Sequence, residues 1–209
     1  MSEQIILRFR DIIGAHNRSI MVVGAGATGS WFTMMATKQN YKCIVVDYDD
    51  VELHNCGTSI YRPEHVGKPK AHVLATMLDN VEAIVDRFKG EYVEQYNPDL
   101  IVSAVDNMEA RREIFEAARK HYRPLIDMRV HYPYAIISAA EPAPGAMEKY
   151  EATLYGDDVA WVGDCTRQNT PFLSAFTASI ALRYASFPIR GYRVTVANVD
   201  KMIIVEAGE

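Results

Sequence analysis

The stretch SIMVVGAGATGSWFTMMATKQ, residues 19–39, decides the fold, because it predicts a buried strand, a tight turn and a helix in succession. Gly24, Gly26 and Gly29 form the pattern GxGxxG at the turn. Such glycines let the backbone approach a ligand closely, and the following helix offers unpaired N–H groups to a phosphate. Asp47, about twenty residues on, ends the next predicted strand and can accept from ribose hydroxyls. This context predicts a nucleotide-binding α/β domain.

Apolar strands alternate with helices along the next part of the chain. Strands are predicted at residues 42–49, 99–107 and 124–130, with a short one at EYVEQY, 91–96. Helices are predicted at GKPKAHVLATMLDNVEAIVDRF, 67–88, and at 109–122. Strands that are apolar throughout and joined by helices form parallel sheets covered on both faces.

The C-terminal part has a different pattern. Residues 135–142 predict a strand, 171–187 a helix, and YRVTVANVDKMIIVEA, 192–207, a β-hairpin with NVD at the turn. A loop-rich crossover, rich in turn formers and acids, is expected at 141–170. We therefore expect residues 1–209 to form one domain: an α/β, Rossmann-like, mostly parallel sheet with helices on both faces and an antiparallel C-terminal edge.

Composition is typical of a soluble globular protein. The chain is 49% hydrophobic and 23% charged, with a net charge of −5. This acidic balance disfavours nucleic acid as a partner, because phosphate binding needs a basic face. The longest apolar run, 171–188, contains Arg183 and several hydroxyl groups, so we expect a buried helix rather than a membrane span. The first apolar group, IILRF, is too short for a signal peptide, which favours a cytoplasmic protein.

Two further motifs favour ATP over other nucleotides. VGKPKA places Lys70 in the first turn of a predicted helix, where a fixed ammonium can stabilise phosphate charge as pyrophosphate leaves. A solvated helix start is the alternative for this lysine. Asp106 follows a buried strand, at the carboxyl end of the sheet where ligands bind. Its carboxylate suits Mg²⁺ on a triphosphate, or the N-cap of the next helix, and both can hold for the neighbouring pair Asp106 and Asn107.

Taken in order, GAGATGS, VDYDDVELHN, VGKPKA and AVDNMEAR closely resemble the ThiF/MoeB/HesA family, the adenylation domain of ubiquitin-activating enzymes. The resemblance is strong over about residues 4–130 and looser beyond. It implies an adenylyltransferase that uses ATP and Mg²⁺ to adenylate the C-terminal carboxylate of a ubiquitin-like or sulfur-carrier protein, and commonly a homodimer.

The resemblance also implies roles for individual residues. Asp47 would bind the ribose, Lys70 the phosphates, and Asp106 the Mg²⁺ ion. The residues implied at the nucleotide are Gly24, Gly26, Gly29, Asp47, Asp49, Asn55, Lys70 and Arg111.

The chain departs from the family at two arginines. Where the family has NLxRQ, this sequence has NCGTSIYR, so Arg62 is the nearest replacement for the phosphate-binding arginine. Where the family has RQIIL, Glu3 stands in the arginine's place, with Arg8 and Arg10 nearby. Losing one such arginine raises the reaction barrier by several kcal/mol. The chain is thus slow, dependent on a partner, or able only to bind.

The cysteines are Cys43, Cys56 and Cys165. An odd number with no close pair disfavours a disulfide framework, and the two CxxC pairs of zinc-binding relatives are absent, so no zinc is expected. Cys165 resembles the family cysteine that accepts the acylated carrier. Arg167 and a following helix N-terminus favour its thiolate, and Asp164 disfavours it; an unreactive thiol is the alternative.

Three other functions compete with adenylation of a carrier protein. The missing arginines favour a non-catalytic nucleotide-binding or scaffold subunit that needs a partner chain. An NAD-dependent oxidoreductase shares GxGxxG and Asp47 but leaves VGKPKA and AVDN unexplained. The same chemistry on a peptide or a tRNA base is the third, and the acidic balance disfavours tRNA.

Overall fold

The computed structural model describes residues 18–155 and 171–208. Its strands in this part of the chain are β1 Ser19–Val23, β2 Lys42–Val46, β3 Val81–Ile84, β4 Leu100–Ser103, β5 Leu125–His131, β6 Tyr134–Ala140, β7 Tyr192–Asn198 and β8 Ile203–Gly208. They form one sheet in the order β3-β2-β1-β4-β5-β6-β7-β8. Neighbours from β3 to β5 pair in parallel, and β5 to β8 pair antiparallel. The predicted mostly parallel sheet with an antiparallel C-terminal edge is confirmed.

Helices cover both faces of this sheet. They are α1 Ala27–Lys38, α2 Lys70–Met77, α3 Glu91–Tyr96, α4 Met108–Lys120, α5 Pro144–Glu151 and α6 Pro171–Ala185. Alternate residues of β1 enter separate apolar clusters, because successive side chains of a strand point to opposite faces. Ile20 clusters with Phe32 of α1, and Met21 clusters with Phe115 of α4. Among the described residues, every helix is too short or too polar to cross a lipid bilayer.

The single long helix predicted at 67–88 is wrong. The structure has the short helix α2 there, followed by strand β3. Asn80 adopts a left-handed φ of 61° between them, which turns the chain out of the helix. Val81 then pairs with Cys43 of β2. Backbone pairing along the edge of the sheet overrides the helical preference of this segment.

The short strand predicted at 91–96 is also wrong, since these residues form α3. Val93 is buried, and the rings of Tyr92 and Tyr96 meet edge to face at 6.5 Å. Residues four apart share one side of a helix, so the tyrosine spacing carries a helical signal. Asn97 ends the helix in the left-handed conformation.

The loop predicted at 141–170 is wrong in its first part, because it contains α5. Pro144 lies in the first turn of this helix, where its missing N–H is harmless. Met147 and Tyr150 are buried and anchor α5 against the sheet. Residues 156–170 lie outside the described residues. The hairpin predicted at 192–207 is confirmed by the antiparallel pair β7 and β8.

Candidate functional site

The glycine turn lies between β1 and α1, against the segment that leaves β4. Gly24 has a φ of +93°, and a Cβ added to it would lie 2.7 Å from the Ala104 carbonyl oxygen. A Cβ on Gly29 would lie 1.9 Å from the Gly24 carbonyl oxygen. Gly26, the N-cap of α1, differs, because a Cβ there would meet nothing within 4 Å. The turn is therefore closed on the protein side and open above the N-terminus of α1, where the first N–H groups lack intrahelical partners.

Asp47, directly after β2, stabilises this turn through a hydrogen bond. Its Oδ2 accepts from the Ala25 N–H at 2.6 Å, and its Oδ1 accepts from the Asp49 N–H at 2.8 Å. Burial raises the pKa of Asp47, although these two hydrogen bonds and the charge of Lys70 oppose the shift. The carboxylate keeps further lone pairs, so these bonds leave it able to accept from a ribose.

Lys70 opens α2, and its side chain is only 11% exposed. Its Nζ lies 2.9 Å from Asp49 Oδ2, and its N–H donates to the Asp49 carbonyl oxygen at 2.8 Å. The Asp49 side chain is 49% exposed. Lys70 is therefore not a solvated lysine at a helix start. Its ammonium is held inside the protein beside a carboxylate that solvent reaches.

Tyr61 completes this arrangement, and no motif in the sequence indicates it. Its buried hydroxyl lies 2.7 Å from the Ala25 carbonyl oxygen and 3.4 Å from the Lys70 carbonyl oxygen. Burial, and then the charge of Asp47, raise the pKa of Tyr61 far above its ordinary value, so the hydroxyl remains a neutral donor. A closed set of contacts results, here named the Asp47–Lys70 network: Ala25, Asp47, Asp49, Tyr61 and Lys70.

The loop before Tyr61 holds two further predicted residues. Asn55 is half-buried, and its Oδ1 accepts from the Glu52 N–H at 2.8 Å, so it shapes a 3₁₀ turn. The Arg62 side chain is 70% exposed, and its ion pair among the described residues is with Glu64 at 3.8 Å. Arg62 therefore follows Tyr61 of the Asp47–Lys70 network along the chain, but its side chain pairs with Glu64 outside the network.

Asp106 follows β4 on the side of the glycine turn, two residues after Ala104. It is exposed, and its contact within the described part of the chain is Asn107 Nδ2 at 3.3 Å. The N-cap interpretation of Asp106 is wrong, because Asn107 Oδ1 accepts from the Ala110 N–H at 2.8 Å and caps α4. Mg²⁺ takes one or two carboxylates together with phosphate oxygens, and a single exposed carboxylate fits that use. No group of three metal-binding side chains occurs in residues 18–155 and 171–208.

Arg111 lies on α4 and is buried. Its Nε donates to Asp127 Oδ1 at 3.1 Å, and its Nη2 donates to the Val105 carbonyl oxygen, next to Asp106. The fully buried Asp127 also accepts from Arg129 Nε at 2.5 Å. Arg111 thus holds the main chain next to Asp106 from the buried side. We name Arg111, Asp127 and Arg129 the Asp127 cluster.

The Asp127 cluster joins two segments near the site. Arg129 Nη1 donates to the Thr153 carbonyl oxygen at 3.0 Å, just after α5. Burial raises the pKa of Asp127, but the charges of Arg111 and Arg129 outweigh it and hold that pKa below its ordinary value. Asp127 therefore stays ionised at neutral pH.

Of the two cysteines in the described part of the chain, neither hydrogen-bonds to the Asp47–Lys70 network. Burial raises the pKa of the Cys43 thiol to about 12, as expected for a cysteine in the core. Cys56 is half-buried, with Sγ 3.9 Å from the Glu52 carbonyl oxygen. Cys165, predicted as the acyl acceptor, lies outside the described residues, as do Arg8 and Arg10.

Comparison with known sequences gives a family and a set of relatives. The model of the ThiF family matches residues 10–186. Ubiquitin-like modifier-activating enzyme 5 of Dictyostelium discoideum is 34% identical over 122 residues, which are 48% of this chain and 32% of that protein. The same enzyme of Gallus gallus is 32% identical over 49% of this chain and 31% of that protein. The matched part is thus a minor share of each relative.

Solved structures share the fold at low sequence identity. Escherichia coli MccB crystallised with ATP has a TM-score of 0.73 and 14% identity, over 92% of this chain and 64% of that chain. The same protein with AMPCPP and MccA has a TM-score of 0.72 and 15% identity over the same shares.

Proposed function

This chain belongs to the ThiF family, and on that premise we propose that it is an activating enzyme for a carboxylate. The proposed reaction is the ATP- and Mg²⁺-dependent adenylation of the C-terminal carboxylate of a ubiquitin-like protein, a sulfur-carrier protein or a peptide. The relatives named ubiquitin-like modifier-activating enzyme 5 support a protein substrate. MccB with ATP, and with AMPCPP and MccA, supports a nucleotide and a peptide.

The observation that carries this proposal is the Asp47–Lys70 network. It ties the glycine turn to Lys70 through Asp47 and Asp49 on one side and Tyr61 on the other. A nicotinamide oxidoreductase binds its pyrophosphate mainly through the glycine turn and the helix N-terminus. A mostly buried lysine fixed to that turn is instead suited to a reaction in which negative charge builds on the phosphates.

In the proposed reaction, a carboxylate oxygen attacks the α-phosphorus of ATP. A new P–O bond forms, the bond to the bridging oxygen of pyrophosphate breaks, and an acyl-adenylate results. The open N-terminus of α1 binds phosphate oxygens, and Lys70 shifts its ammonium from the half-exposed Asp49 to the phosphates. Asp106 would hold Mg²⁺, and a metal ion bound there would supply positive charge beside the leaving pyrophosphate. Asp47 would accept from the ribose.

The proposal also includes a transfer step after adenylation and a homodimer. Cys165 would take the acyl group as a thioester, with AMP as the leaving group. A homodimer would let the partner copy supply an arginine, which this chain lacks at the family positions. Arg8 and Arg10 are the candidates for that residue.

The outward position of Arg62 favours a second candidate function. Its guanidinium pairs with Glu64 and not with the network, so the site lacks an arginine at the phosphates among the described residues. A nucleotide-binding subunit completed by another chain fits that geometry.

Pyrophosphate exchange tests the proposed function. The protein would be incubated with ATP, Mg²⁺, labelled pyrophosphate and a panel of purified ubiquitin-like proteins, sulfur-carrier proteins and peptides. We expect label to enter ATP with one of them, and the exchange to vanish when its C-terminal carboxylate is amidated. If the protein binds ATP but no member of the panel supports pyrophosphate exchange, the proposal of an activating enzyme is contradicted and that of a non-catalytic subunit is supported.

Asp106→Asn is expected to weaken ATP binding only when Mg²⁺ is present. Interactions with a charged group contribute about 1.5–3 kcal/mol, which corresponds to a loss of about 10- to 100-fold in affinity. Titration calorimetry with and without Mg²⁺ measures the difference. Glu109→Gln, at an exposed acid in the first turn of α4, is the control and should bind ATP normally. An equal loss without Mg²⁺ would contradict a metal-linked role for Asp106.

A further inference from the structure

The hydroxyl of Tyr61 points at the glycine turn from inside the protein. It lies 2.7 Å from the carbonyl oxygen of Ala25, the residue between Gly24 and Gly26. Asp47 accepts from the N–H of the same residue at 2.6 Å. Both polar main-chain groups of Ala25 are therefore held by buried side chains.

The Ala25 carbonyl controls the direction of the next amide. A peptide group is planar and trans, so the N–H of Gly26 points opposite to the carbonyl of Ala25. Because that carbonyl points inward to Tyr61, the Gly26 N–H points away from the core. A Cβ on Gly26 would meet nothing within 4 Å, and among the described residues no acceptor takes the Gly26 N–H.

We propose that Tyr61 is a positioning residue, which aims the Gly26 amide at a phosphate of the bound nucleotide and fixes the glycine turn relative to Lys70. This inference rests on the proposed function, since it requires ATP at the turn. The Tyr61 hydroxyl also lies 3.4 Å from the Lys70 carbonyl oxygen. The glycine turn and the start of α2 therefore both contact the same hydroxyl oxygen.

The aromatic ring of Tyr61 does not need its hydroxyl for packing. The residue is 3% exposed and belongs to the apolar cluster that contains Phe32 and Val51. Phenylalanine would fill the same space and remove one oxygen atom. The hydroxyl is thus separable from the core, and Tyr61→Phe isolates its effect on the turn.

Tyr61→Phe is expected to weaken ATP binding about five- to tenfold, the effect of one neutral hydrogen bond, and to leave adenosine binding unchanged. Adenosine is the probe because it lacks phosphates. Tyr41→Phe is the matched control, since Tyr41 is equally buried and its hydroxyl donates to the Ala185 carbonyl oxygen at 3.2 Å, outside the network. That variant should bind ATP as the wild type does, even if both variants melt at lower temperature.

The outcomes separate this inference from the proposed function. If the wild type does not bind ATP, both fall. If the wild type binds ATP and Tyr61→Phe binds it equally well, or loses ATP and adenosine in the same proportion, only the role of Tyr61 is overturned. A measurement without any variant gives a second check: the Gly26 amide resonance should shift on addition of ATP and not of adenosine. An unchanged resonance would overturn the inference.

Discussion

Lys70→Met is expected to reduce the rate of carrier-dependent pyrophosphate exchange about 100- to 1,000-fold, the usual effect of losing one group that stabilises transition-state charge. Methionine keeps an unbranched apolar stem and removes the ammonium. Because the Lys70 side chain is mostly buried and paired with Asp49 before ATP arrives, its ammonium has only to move from that carboxylate to the phosphates. The rate at saturating ATP measures this loss more directly than affinity does.

Lys68→Met is the matched control for this experiment. Lys68 lies two residues earlier in the same motif, but it is exposed. It should keep the wild-type rate. The folded state should tolerate Lys70→Met, since the carboxylate of Asp49 that loses its partner is 49% exposed and remains hydrated. A wild-type exchange rate in a folded Lys70→Met variant would contradict the role given to this lysine.

Asp127→Asn is expected to lower the free energy of unfolding by about 3–5 kcal/mol, the cost of removing one partner from a buried ion pair. The carboxylate is fully buried between Arg111 and Arg129, and the neutral amide would leave the buried guanidinium of Arg111 and the partly buried one of Arg129 without their anion. Urea denaturation at pH 7 measures the loss. Asp86→Asn is the control, because its ion pair with Lys89 is exposed and contributes little. An Asp127→Asn variant as stable as the wild type would contradict this account of the cluster.

The same cluster predicts a dependence on pH. The arginines hold the pKa of Asp127 below its ordinary value of 3.8 in the folded protein. Its contribution to stability is therefore complete above that value and is lost as the pH falls through the lower, folded pKa. The difference in stability between the wild type and Asp127→Asn should stay constant from pH 7 towards that value and shrink below it. A difference that shrinks between pH 7 and 5 would contradict the sign of this shift.

Local signals were enough to predict most of the fold. The glycine turn, the apolar strands and the C-terminal hairpin each carry their pattern within one short stretch of sequence. Two of the errors arose where tertiary contacts decide the structure. Val81–Ile84 continues a helical pattern along the chain, but pairing with β2 makes it a strand. The crossover helix Pro144–Glu151 depends on burying Met147 and Tyr150 against the sheet.

The candidate site was predicted in part for the same reason. Lys70 and Asp106 belong to motifs, so the sequence reveals them. Tyr61 acts through main-chain carbonyls of Ala25 and Lys70, and a carbonyl has no signature in a sequence. Asp127 lies beside Ser103 only because β4 and β5 pair in the sheet. The ion pairs of Asp127 with Arg111 and Arg129 can therefore be recognised only from the folded structure.

Titration of the wild-type protein with ATP and Mg²⁺, set against NAD⁺ in a parallel calorimetric experiment, tests the central claim most directly. The claim is that the glycine turn and Lys70 together form a site for a nucleoside triphosphate. It predicts binding of ATP with Mg²⁺, weakened in Lys70→Met, and no comparable heat with NAD⁺. Binding of NAD⁺ without any response to ATP would contradict it and identify the glycine turn as part of a dinucleotide site.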